Sequence, residues 1–360
     1  VADQTTTIGS AAITIFRDRQ NRRTWVAHRP LLQLLASDQI SQARIDNKLK
    51  LTPINSTVGK AQAYKWYLGT TAPTGGGSFA PGASFTFSNQ FNSTFGVVNL
   101  RHYEQPVAFP SSLIDVHIPA RDNENGINVL VRLLEDAKKQ MFDRIARHIV
   151  QTSPAATDID TLVGTGTTSG VLGDGITVGA VTTYGIDSSV ETSHRSIVHD
   201  LGGGRLTLRR LAKDIRDARR NRNATLDVVV MGSAVHDMLV QEAEALNLPY
   251  FDIVENFGKD PKTGEPHLYL ETSHSVLKNE GSVLLVDTDL DVTAPNRALG
   301  LSLGEMSLDA GEVNNMTVKG WKDVALEDAT DQIRAQIRLD VMNIVFDRSK
   351  FVVWTNLATS

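Results

Sequence analysis

The stretch Arg121–Gln151, RDNENGINVLVRLLEDAKKQMFDRIARHIVQ, constrains this chain more than any other. Ile127, Leu130, Val131, Leu134, Ala137, Met141, Ile145 and Ile149 recur every three or four residues and make one apolar stripe. Arg132, Asp136, Lys139, Asp143 and Arg147 take the opposite face. Asp122 and Asn123 can cap the first turn, Glu124 suits the positive end of the helix dipole, and Pro154 bars extension. About 28 residues at ~1.5 Å each give a rod of roughly 42 Å, far longer than an average helix. An amphipathic rod of that length needs a broad floor to lie on.

The bulk numbers bound the rest. At 360 residues the chain holds two domains or one elaborate one. A net charge of −5 argues against a generally basic nucleic-acid binder. Cysteine is absent, which excludes disulfides, thiolate catalysis and zinc–sulfur sites, and an intracellular origin fits best. The start VADQTTTIGS lacks the basic and apolar regions of a secretory signal, and removal of an initiator Met and proteolytic trimming both fit its Val1. No run of about 18 apolar residues exists, so no membrane partner is expected.

In chain order, residues 1–29 are polar with clustered Arg and read as an extended arm. Pro30–Ala36 reads as a short helix with Pro in a favoured first position. From Ile54 to Val107 the character is β. The strand-like AYKWYLGT (Ala63–Thr70) leads into a tip with two Pro and four Gly, Thr70–Gly82. The return carries the alternation Ser84–Ser88 and then Gly96–Arg101. A lone two-stranded hairpin is marginal in water. Tyr64, Trp66, Tyr67, Phe85 and Phe87 therefore need a cover, supplied by another subunit or by this chain's own core. Val107–Phe109 and Leu113–Ile118 are strand-like, and Gln151–Gly204 is rich in Thr, Ser and Gly, with Gly202–Gly204 a candidate hinge.

Residues 205–300 alternate helices and strands, the pattern of a layered α/β domain. Thr207 caps a helix whose buried stripe is Leu208, Leu211, Ala212, Ile215 and Ala218. Leu226–Met231, Tyr250–Val254 and Val283–Asp287 read as strands, Asp260–Gly264 as a turn, and Ser233 as the cap of a second helix. The end returns to β: Ile333–Val341 alternates apolar and polar residues, and Phe351–Trp354 is a last strand.

Chemistry is hard to find. Gly164–Gly170 lacks the Lys-Ser/Thr ending of a phosphate loop. Asp287, Asp289 and Asp291 open like a calcium loop, but Val292 stands where Gly is required, so a solvated strand end is the reading. His194 and His199 lie five apart in a polar stretch and make no zinc or general-base pair. No nucleophile elbow or zinc-protease motif occurs. No catalytic, cofactor or metal residue is therefore assigned. The conspicuous cluster is Arg205–Arg222, eight basic residues against Asp214 and Asp217, a local net of +6. Arg209, Arg210 and Arg216 belong to it. A solvated face or a contact with an acidic neighbouring subunit is favoured over DNA, and the acid-rich Asp287–Asp331 is the candidate counterpart.

The assembled order of arm, hairpin, long helix, α/β domain and returning strands resembles the major capsid proteins of tailed bacteriophages, the Hong Kong 97 fold. RPLLQLL with YKWYLGT is similar to that family's arm and extended loop. The segment Tyr103–Val150 is similar to its strand and spine helix, and the segment Leu206–Ala245 to the helix–strand–helix of its axial domain. The resemblance implies an α+β capsid fold. Its parts would be an N-terminal arm (1–52), an extended β-hairpin loop (53–105), a peripheral domain (106–155 and 300–346, spine helix 123–151) and an α/β axial domain (156–299 and 347–360).

It also implies a structural subunit, not an enzyme, with no cofactor. Its copies would form hexamers and pentamers of an icosahedral shell around double-stranded DNA. Scaffolding, portal and cement proteins would be further partners, and assembly would occur in the host cytoplasm. Tyr64, Trp66, Tyr67, Phe85, Phe87, Arg209, Arg210 and Arg216 would be subunit-interface residues. The rival with the same fold is a bacterial nanocompartment shell holding cargo enzymes. An α/β enzyme built on residues 205–300 and a DNA-binding protein using the Arg cluster are the readings from other classes.

Overall fold

The computed structural model describes residues 31–32, 35, 52–53, 63–69, 93–99, 101–110, 123–153, 155, 157–163, 171–172, 182–183, 186–187, 194–245, 253–259, 266–272, 282–309, 317–323 and 332–359. The arm at 1–29, the hairpin tip with Ser84–Ser88, Leu113–Ile118, Gly164–Gly170 and the turn Asp260–Gly264 lie outside them.

Leu31, Leu32 and Leu35 are helical, as the Pro30–Ala36 pattern predicts, and join the same buried core as Met141 and Ile145. At that point the N-terminal region rests on its own chain. Strands β1 (Thr52–Pro53), β2 (Ala63–Gly69) and β3 (Ser93–Asn99) form an antiparallel sheet in that order. The expected two-stranded hairpin thus has a short third strand along one edge. β4 (Arg101–Pro110) follows, then helix α1 (Asn123–Val150), which is the expected rod of 28 residues.

Two short strands, β5 (Thr182–Thr183) and β6 (Ile186–Asp187), pair antiparallel and precede β7 (Ile197–Asp200). Then come α2 (Leu208–Arg222), β8 (Val228–Met231) and α3 (Ser233–Ala245). β9 (Ile253–Lys259) and β10 (Pro266–Thr272) make an antiparallel hairpin where a single strand from Tyr250 to Val254 is expected. The remainder is β11 (Val283–Val286), α4 (Thr288–Thr293), β12 (Ala298–Leu301), β13 (Met306–Asp309), β14 (Thr317–Asp323), β15 (Gln332–Val345) and β16 (Val352–Thr355).

Two sheets organise these elements. In the first, β15 is central: β4 pairs with it antiparallel over ten residues, and β13 and β14 also pair with it. Ile337 and Val341 are buried as the alternation requires, and from Val341 to Val345 every residue is buried. The apolar stripe of α1 packs in the same core: Leu134, Met141, Ile145 and Ile149 are all at or below 1% exposure. The second sheet is mixed and runs β11-β8-β12-β16-β7.

Its pleat explains why β8 and β16 are buried at all four positions. Val228, Val230, Leu285, Leu299, Leu301 and Val353 join the core that contains α1. Val229, Met231, Leu284, Ala298, Val352 and Trp354 join a separate core with α2 and α3. Period-2 alternation feeds both faces, so a run such as VVVM can have no polar position. The last strand is therefore interior to a sheet. Gly300 leaves room there for the Trp354 ring and Leu226, which a Cβ would approach to 3.2 and 3.1 Å.

Residues distant in sequence satisfy the C-terminal end of α1. The Leu162 amide and the Thr161 hydroxyl donate to the Ile149 carbonyl at 2.7 and 3.0 Å, and the Thr293 hydroxyl donates to the Val150 carbonyl at 2.9 Å. Tyr103 of β4 bonds His148 Nδ1 at 2.9 Å and accepts the Ile159 amide at 3.0 Å. Burial pushes that phenol up to about 12 and holds the His148 imidazole below its ordinary value, despite Asp158 at 3.3 Å. The bonds to the Ile149 and Val150 carbonyls use acceptors that a helix end leaves without intrahelical partners.

Three local readings are corrected. Ser233 is the first residue of α3, not its cap, and its amide donates to Asp291 Oδ1 at 2.7 Å. Asp287 and Asp289 are not solvated: each is 4% exposed, and Asp287 caps α4 by accepting the Asp289 amide. Gly202–Gly204 is a bonded turn, not a hinge. Gly203 donates to the Asn356 carbonyl at 2.7 Å and Gly204 accepts the Ala358 amide at 3.0 Å, with Gly202 and Gly203 at φ 58° and 85°.

The Asp291 bond makes α4 a junction. Through Thr293 it holds the end of α1, and through Asp291 the start of α3. A Cβ on Gly232 would overlap Asp291 Oδ1 and displace this cap. Gly232→Ala is expected to cost about 1–2 kcal/mol, the value of a lost N-terminal cap. A lower urea midpoint with unchanged slope would register it, and an unmoved midpoint would contradict it.

Candidate assembly surfaces

The hairpin residues are placed by backbone register. Tyr64 pairs with Val98, Trp66 with Gly96 and Tyr67 with Phe95. The root is anchored, since Val98 is 1% exposed and sits in the α1 core. Tyr64, Trp66 and Tyr67 are thus carried on a strand pair whose base is fixed by the chain's own packing. Phe85 and Phe87 lie outside the described residues.

The second surface is α2. Thr207 caps it, accepting the Arg210 amide at 3.2 Å, and Asn223 ends it with φ 51° in the left-handed region. Its buried face is Leu208, Leu211, Ala212, Ile215 and Ala218, the stripe read from the sequence, with Asp214 added. Its outer face exposes Arg209, Arg210, Lys213, Arg216, Arg219, Arg220 and Arg222. Arg210 Nε donates to both Asp214 oxygens at 3.0 and 3.1 Å, and Arg216 Nε donates to the Ala212 carbonyl at 3.2 Å. The structure therefore separates the three arginines singled out: Arg210 is tied to a buried carboxylate, Arg216 lies along its own helix, and Arg209 is exposed.

Asp214 was missed as more than a counter-charge. It is 2% exposed and accepts the Trp354 indole N–H at 2.9 Å across 140 residues of sequence. His199 stacks on Trp354 with ring centroids 6.4 Å apart and stands 3.7 Å from Asp214. Burial lowers the His199 pKa, although Asp214 opposes this. The only sequence signal is that Asp214 falls in register with Leu211, Ile215 and Ala218 on the apolar stripe. His194 pairs with another carboxylate, Asp347, at 3.6 Å. Burial raises the Asp347 pKa, but bonds from His194 and Ser349 outweigh this and leave it low. The two histidines serve separate carboxylates and make no joint site.

Among the described residues no group of three or more His, Cys, Asp or Glu is placed to hold a metal ion. No described helix is long and apolar enough to cross a membrane. What the geometry offers is a helix on a strand-rich floor, an α/β layer joined to it, an aromatic hairpin and a basic helix face.

This is the α+β, Hong Kong 97-type fold of phage major capsid proteins. The solved capsid asymmetric unit of cyanophage A-1(L) is similar over 87% of this chain and 95% of its own, with 15% identity and a TM-score of 0.52. The capsid of Myoviridae phage XM1 is similar over 86% and 94%, with 12% identity and a TM-score of 0.46. The SrpI encapsulin of Synechococcus elongatus is similar over 89% and 95%, with 8% identity and a TM-score of 0.49. No family model and no curated protein matches the sequence.

Proposed function

We propose that this chain is the major shell subunit of a tailed-phage head. Copies assemble as hexamers and pentamers into an icosahedral shell around double-stranded DNA, and the chain performs no catalysis. The observation that carries the reading is the fold shared with the cyanophage A-1(L) capsid subunit across nearly the whole of both chains. Support comes from the hairpin, where Tyr64, Trp66 and Tyr67 lie within seven residues of one strand in an otherwise ordinary composition.

In this reading residues 1–52 are the arm and 53–105 the extended loop. Residues 106–155 and 300–346 form the peripheral domain, and 156–299 and 347–360 the axial domain. These aromatics, with Phe85 and Phe87, cover a neighbouring copy. Scaffolding, portal and cement proteins complete the head, which assembles in the host cytoplasm.

Sedimentation of Trp66→Ala/Tyr67→Ala beside the unaltered chain tests this. The unaltered chain is expected to sediment as large particles, and the double variant as free capsomers or monomers with its melting temperature kept. Truncated interface aromatics typically cost about 2 kcal/mol or more each, multiplied over every contact of a shell. A small species that turns over a substrate would reject the reading, and filled particles carrying cargo enzymes would replace it with a nanocompartment shell.

A further inference from the structure

We propose that the outer face of α2 docks on the phosphate backbone of a nucleic-acid duplex. Arg209, Lys213, Arg216 and Arg220 are spaced four, three and four apart, which places them along one side of the helix, and all are exposed. Arg205 continues the line before the helix, and Arg210, Arg219 and Arg222 flank it. The apolar packing of α2 is done by its opposite face.

The arrangement is locally unfavourable. The first turn contains no acidic residue and carries Arg209 and Arg210 at the positive end of the helix dipole. Like charges three and four residues apart repel by a few tenths of a kcal/mol each. Of the two acidic residues of the helix, Asp214 is buried under Trp354 and engages Arg210, which leaves Asp217 alone against the other seven basic residues. A local net of +6 in a chain of net −5 is a concentration that an external anion relieves.

Three observations choose the anion. In the acid-rich stretch expected to receive α2 on a second copy, Asp287 and Asp289 are buried and Asp291 caps α3. Seven of the eight basic residues between Arg205 and Arg222 are Arg, the side chain that bonds phosphate oxygens in pairs. The same segment has no aromatic residue, so it lacks the stacking platform of a single-strand binder. Phosphates of a duplex, contacted without regard to sequence, are what this surface fits. The proposal deepens the shell reading by naming where an enclosed duplex would touch the subunit.

The test uses dissociated full-length subunits and a short fluorescent duplex, with anisotropy followed from about 50 to about 200 mM salt. Four phosphate contacts predict a log–log slope near −3.6 and a weakening of about a hundredfold across that range. Arg209→Ala/Lys213→Ala/Arg216→Ala/Arg220→Ala should remove most of that slope while particles still form. Replacing the three arginines by Lys should keep it, which separates lost charge from lost folding. Duplex binding by the Ala variant with the slope unchanged would overturn the proposal. So would tighter binding of a single strand, or Ala variants that bind duplex normally yet no longer assemble, which would make a second copy the occupant. Particle formation by the unaltered chain is scored separately, so the shell reading and this surface fail independently.

Discussion

Asp214→Ala is expected to destabilise the chain by about 3 kcal/mol, the largest loss from any single polar side chain described here. The carboxylate is 2% exposed and lies between α2 and β16. Its removal leaves the Trp354 indole N–H, now bonded at 2.9 Å, buried without an acceptor, and frees Arg210 from its anchor. An unmet buried donor costs about 1–3 kcal/mol, and breaking a buried ion pair about 3–5. Arg210 is partly solvated, which places the sum toward the lower end. Asp214→Asn keeps an acceptor for Trp354 and should recover about half. Chemical melts of the two variants check this. Equal midpoints for Asp214→Ala and the unaltered chain would show that the Trp354–Asp214–Arg210 link is not a structural tie.

Lys138→Met is expected to act in the opposite direction, stabilising the chain by about 2–4 kcal/mol at neutral pH. Lys138 is 6% exposed although it lies on α1 beside the apolar stripe. Burial pushes its ammonium down to about 6, against an opposing pull from Glu135, and its Nζ lies 5.9 Å from the Phe142 ring centroid. At pH 7 the folded chain carries this group mostly neutral, while the unfolded chain, near 10.5, carries it charged. The unfolded state therefore binds more protons between those values, and stability rises with pH from about 6 toward 10.5. Methionine keeps the length and removes both the desolvation and the slope. Melting temperatures across that range should rise for the unaltered chain and stay flat for Lys138→Met. A variant less stable than the unaltered chain at pH 7 would show that the ammonium is held by its neighbours.

The parts of this molecule that were legible in the sequence are those fixed by local periodicity. The apolar stripe of α1 from Val131 to Ile149 and the five-residue stripe of α2 are buried as read, and β15 is buried at Ile337 and Val341. Thr207 caps α2 because its partner, the Arg210 amide, is three residues away. The parts misread depend on partners far along the chain. Ser233 looks like a cap until Asp291, 58 residues later, takes its amide. Asp287, Asp289 and Asp291 look like a solvated strand end because nothing nearby reveals that α4 sits between α1 and α3. Three consecutive glycines suggest a hinge, yet Asn356 and Ala358 close the turn from more than 150 residues away.

Of the candidate surface, composition marked the aromatic and basic residues, and the helical period placed Arg209 and Arg216 on an outward face. The pairing of Arg210 with a buried Asp214 was out of reach, because a carboxylate in an apolar stripe announces its donor only when Trp354 is brought across the sheet.

Electron microscopy of the purified full-length chain tests the central claim most directly. The account predicts uniform closed particles built of five- and six-fold rings, with the β2–β3 strands of each subunit lying on the next. A lone subunit at every concentration, its hairpin aromatics folded onto its own body, would contradict it.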